Sequence, residues 1–115
     1  MTKLIIVQGA NRLLTPPDNP FSASLENLVA SRTVGLDSAY IAAQEALRCF
    51  KELPDSVPTA FSYTGNALNQ IAIPGVLPFA LPKVAAAMIV EYGANAYGQL
   101  GYRYVLVVNF AARMM

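Results

Sequence analysis

The sequence predicts an α/β fold, part of a doubly wound parallel sheet with about three strands and two long helices. Three observations carry that prediction. Strand-like and helical runs alternate in the order strand, helix, strand, helix, strand, and crossovers that contain helices imply parallel pairing with right-handed connections. The first run, residues 3–7, is apolar and β-branched almost throughout, as suits a strand buried on both faces. Three strands alone would leave both outer edges open, so the 115 residues read as a single partial domain, 1–115, of a larger sheet.

Each element has a local cause. Residues 3–7 end at a polar turn, Gln8-Gly9-Ala10-Asn11. The stretch that follows holds Pro16, Pro17 and Pro20 and is a loop. Ser24 is placed to cap a helix, with Glu26 in its first turn to complement the helix dipole. Leu25, Leu28, Val29, Leu36, Tyr40, Ala43, Leu47 and Phe50 recur at helical spacing, and Gly35 marks a bend among them. Pro54 ends this region. Residues 59–64 are rich in β-formers and read as the second strand, closed by Gly65 and Asn66. Residues 74–82 read as irregular. Pro82 suits the first turn of a second helix over 82–97, where a missing N–H costs nothing. Ala85, Ala86, Met88, Ile89, Tyr92 and Ala96 are the candidates for its packed face. Gly98 and Gly101 bracket its stop, and residues 102–108 form the third strand.

Composition excludes several functions. Charged residues are 13% of the chain and hydrophobic ones 55%, against about 25% charged in an average soluble domain. Much of the surface is therefore expected to be covered. A net charge of +1 without a basic run gives no case for nucleic acid or an anionic membrane. Histidine is absent, which removes the commonest metal ligand, and Glu26, Asp37 and Glu45 are dispersed, so no metal site is expected. The single Cys49 reads as a buried helix residue, and a lone thiol fits a reducing, cytoplasmic location. The apolar N-terminal segment is too short for a secretory signal. The most hydrophobic stretch, 71–90, contains Pro74, Pro78, Pro82 and Lys83, which argues against a membrane span.

Lys83 is the candidate functional residue. It stands at the head of a helix, just downstream of a strand that ends in a polar turn, and a cation can lower the pKa of a hydroxyl beside it. Taken alone it reads as a helix-end lysine reaching solvent. The ordered set Lys3-Leu-Ile-Ile-Val-Gln-Gly-Ala10, Ser38-Ala-Tyr-Ile-Ala-Ala-Gln-Glu-Ala46, Tyr63-Thr-Gly-Asn-Ala-Leu-Asn69 and Lys83-Val-Ala-Ala-Ala87 resembles the second half of the short-chain dehydrogenase/reductase fold, in its atypical fungal-type members. The likeness covers nearly all of the chain up to Val108.

That resemblance implies a Rossmann-like sheet and, by descent, an NAD- or NADP-dependent oxidoreductase of small-molecule alcohols or carbonyls. It implies Lys83 as catalytic and ribose-binding, Asn66 or Thr64 as orienting substrate, and Gln8 and Gly9 near the cofactor. It also implies a homo-oligomer paired through the two long helices. The sequence departs from the family pattern at its acid/base. Four residues before the lysine, where the family carries a tyrosine, stands Phe79, which cannot exchange a proton. The family's helix asparagine falls at Gly35. The glycine-rich phosphate turn belongs to the first strand–helix unit of that fold, and no such turn occurs in this sequence. The expectation is thus a truncated, catalytically impaired relative. A non-catalytic dimerisation module (a pseudoenzyme) and a gene-model fragment are the alternatives.

Overall fold

A computed structural model of the chain describes residues 14–65 and 72–108. The expected strand at 3–7, with Gln8 and Gly9, lies outside the described residues, as do Asn66 and the tail from Asn109. What is described is a βαβ unit preceded by a long bent helix. The elements are α1 (Leu25–Arg32), a π-helical turn (Thr33–Asp37), α2 (Ser38–Glu52), β1 (Thr59–Gly65), α3 (Leu77–Tyr97), a 3₁₀ turn (Gly98–Leu100) and β2 (Tyr102–Val108). The strands pair in parallel, with Phe61 opposite Tyr104 and Tyr63 opposite Leu106.

Ser24 caps α1 as expected, its hydroxyl accepting from the Asn27 N–H at 3.1 Å. The bend expected at Gly35 is the π turn. A π turn takes more residues per turn than an α-helix, so it resets the phase of everything after it. The buried residues run Ser31, then Ala39, Ala42, Ala46, Cys49 and Phe50. Leu25 and Tyr40, expected to pack, are instead 74% and 53% exposed. Cys49 is buried, as expected.

The start of α3 corrects the sequence reading. The helix opens at Leu77 rather than Pro82, and Pro78 takes the tolerated first-turn position. Pro82 therefore lies inside the helix, where its ring removes the N–H that should bond the Pro78 carbonyl. A donor from another element fills that gap: Ser31 Oγ donates to Pro78 O at 2.7 Å, fully buried. The packed face is Pro78, Pro82, Ala86, Val90 and Gly93. Met88 and Tyr92, expected on that face, are 50% and 70% exposed. α3 is apolar all round, so composition could not phase it. By length and composition, Leu77–Leu100 could cross a bilayer. It packs against α1, the π turn, α2, β1 and β2 along one face, with 28% of its most apolar stretch buried.

Both long helices lie on one face of the sheet. Ala46 and Phe50 of α2, Val90 of α3 and Tyr104 of β2 make the core, with Phe61, Tyr63, Tyr97, Tyr102 and Leu106 packed around them. Phe50, Phe61 and Tyr97 each hold a ring centroid within 6.0 Å of Tyr104, in the tilted and edge-on geometries aromatic pairs prefer. Tyr104 Oη donates to Ala43 O at 3.1 Å, tying β2 to α2. Ala60, Ser62, Thr64, Arg103, Val105 and Val107 alternate onto the other, exposed face.

Candidate functional site

The site is built where β1 passes over the second turn of α3. Lys83 is the seventh residue of α3, and Phe79 lies one turn before it on the same face. Tyr63 belongs to the set on β1 that faces the helices, in phase with Phe61. These elements bring the Lys83 ammonium over two rings. Its Nζ is 5.4 Å from the Tyr63 centroid and 5.3 Å from the Phe79 centroid.

Two close approaches set the height of α3 at this point. A Cβ on Gly35 would stand 2.6 Å from Pro82 Cβ, so the π turn and the residue before Lys83 interlock only because position 35 has no side chain. Further along, a Cβ on Gly93 would stand 2.7 Å from the Tyr104 ring. Together with the Ser31–Pro78 hydrogen bond, the Gly35 contact fixes the turn that carries Lys83.

Burial lowers the pKa of Lys83 below that of a free lysine and raises that of Tyr63 above that of a free phenol, because desolvation disfavours the charged form of each. The Tyr63 phenol is therefore neutral near pH 7. Lys83 makes no ion pair and no hydrogen bond among the described residues; the ion pairs there belong to Arg32 and Arg48. No group of three or more His, Cys, Asp or Glu placed to hold a metal occurs among the described residues.

Of the residues singled out from sequence, Lys83 occupies this site. Thr64 does not reach it: the side chain is exposed, on the opposite face of β1 from Tyr63 and the helices. Asn66, Gln8 and Gly9 lie outside the described residues. Tyr63 is the residue that sequence reasoning passed over. Its period-two spacing from Phe61 was the available signal. A groove of about 470 Å³ between α3 and β2, lined among others by Val84, Met88, Glu91 and Tyr104, does not include Lys83 or Tyr63 in its wall.

No family model matches the sequence. The short chain dehydrogenase/reductase dmxR12 of Cryptosporiopsis sp. is 31% identical over 90 residues, 78% of this chain and 37% of that protein. The chain is a short-chain dehydrogenase/reductase family member. It spans well under half the length of the curated relative it matches. Two solved structures share the fold. A short-chain dehydrogenase from Rhodopseudomonas palustris aligns with a TM-score of 0.71 and 13% identity, over 87% of this chain and 44% of its own. A gluconate 5-dehydrogenase from Burkholderia cenocepacia, solved with NADP and tartrate, aligns with a TM-score of 0.72 and 18% identity, over 88% and 37%. The Rossmann-like parallel arrangement read from the sequence is thus the fold of this chain.

Proposed function

We propose that this chain carries the lysine side of a nicotinamide-nucleotide site and acts, within a complete family fold, on the alcohol or carbonyl group of a small molecule. The observation that carries this reading is the Lys83 ammonium, half-buried beneath β1 with no acceptor among the described residues. The NADP bound in the gluconate 5-dehydrogenase supports a nicotinamide nucleotide as the ligand class. In this reading Lys83 holds the ribose hydroxyls, and the nucleotide supplies or accepts the hydride. Phe79 has no proton to exchange, so the chemistry is impaired relative to an enzyme with a phenol at that place.

The test is titration with NADPH and NADH, followed by nucleotide fluorescence, with Lys83→Ala as the control. Saturable binding that the variant loses is expected. A well-folded chain that binds neither nucleotide would refute the reading. A second reading, self-association through the long helices, is favoured by the exposed row Leu81, Val84, Met88 and Tyr92 along α3. A monomer by analytical ultracentrifugation at micromolar concentration would sink it.

A further inference from the structure

We infer that Tyr63 is a positioning residue for Lys83: its ring on β1 and the ring of Phe79 on α3 form a clamp that fixes the ammonium at the site. The use of that clamp in binding rests on the nucleotide reading above; the clamp itself does not. Both centroids stand within the reach of a cation–π contact, at 5.4 and 5.3 Å from Nζ. The two walls come from different elements, so the contact is tertiary and does not follow from helix spacing alone. Phe79 lacks the hydroxyl of the residue it replaces and keeps the ring face, and Tyr63 supplies a second face from the strand.

Among the described residues, no acidic group is left to hold Lys83. Asp37, in the π turn packed on this part of α3, is with Arg32 at 3.9 Å. Glu91 is two turns further along α3. Glu45 and Glu52 of α2 are engaged by Arg48. Tyr63 is the titratable group on β1, and burial keeps its phenol protonated. The contact is therefore an ammonium against neutral rings rather than an ion pair with a phenolate. Burial and the rings act oppositely on the lysine: desolvation favours the free amine, and the ring faces favour the cation.

The test uses the full chain with its lysines ¹³C-dimethylated, read by NMR against Lys51, which is exposed on α2. In the wild type the Lys83 methyl resonance is expected upfield of that of Lys51, through the two ring currents. Phe79→Leu and Tyr63→Leu each remove part of the displacement and lower the Lys83 titration midpoint by roughly half a unit to one unit. Tyr63→Phe keeps both. A wild-type Lys83 signal that coincides with that of Lys51 overturns the clamp, whatever the variants do. So does a Tyr63→Phe protein that behaves like Tyr63→Leu, because the hydroxyl would then be the operative group. In nucleotide titration, Tyr63→Leu is expected to bind NADPH several-fold more weakly and Tyr63→Phe as wild type; equal binding by all three overturns the positioning role. A wild type that binds no nucleotide refutes the proposed function and leaves the clamp decided by the NMR readings.

Discussion

Removing the hydroxyl of Ser31 should cost far more than an ordinary serine-to-alanine change in a helix. Pro82 has no N–H, so the Pro78 carbonyl has lost its usual donor one turn on. That carbonyl belongs to a residue less than 2% exposed, and its partner Ser31 is itself 2% exposed, at 2.7 Å. Water cannot replace the bond. Ser31→Ala leaves the carbonyl buried and unsatisfied, which costs about 1–3 kcal/mol. The gain in helix propensity, up to roughly 0.5 kcal/mol, offsets part of it. The net expected loss is about 0.5–2.5 kcal/mol by urea denaturation, with the slope of the transition unchanged. Pro82→Ala provides the internal control, because it restores a backbone N–H to the same carbonyl and keeps the Cβ that meets Gly35. In that background Ser31→Ala should cost at least about 1 kcal/mol less. Equal losses in both backgrounds would refute the claim that Ser31 compensates for Pro82.

Gly35→Ala should destabilise the fold by about 1–3 kcal/mol through overpacking against Pro82, although the same change in an open helix would stabilise by about 1 kcal/mol; a raised thermal midpoint would contradict the interlock. Tyr104, whose phenol is pushed up to about 12 by burial, with a smaller contribution from Tyr97, gives a pH test. A folded-state pKa above the unfolded value of about 10 contributes stability that is complete below pH 10 and lost as pH rises toward 12. Thermal unfolding should therefore weaken between pH 10 and 12, and Tyr104→Phe should lessen that fall while costing about 1 kcal/mol at pH 7 from the lost bond to Ala43. Arg48→Ala removes exposed helix pairs to Glu45 and Glu52 and should cost no more than about 1 kcal/mol, less still in high salt; a larger, salt-insensitive loss would show that the pairs are not the solvent-screened contacts described.

Much was legible in the chain itself. The βαβ order, the cap at Ser24, the bend at Gly35 and the strands beginning at Thr59 and Tyr102 follow from local chemistry, whereas Lys83 was singled out by the family resemblance. Period, turn residues and capping groups act within a few positions of one another. Three things were decided only by tertiary structure. Pro82 sits inside α3 because a serine from another helix supplies the donor it removes, and no local rule can see that donor. The packed face of α3 is set by its neighbours, since a helix apolar on every side carries no phase of its own. Tyr63, and not Thr64, meets Lys83, because the face of β1 that turns toward α3 is chosen by the aromatic core around Tyr104, and neighbouring residues on a strand point to opposite faces.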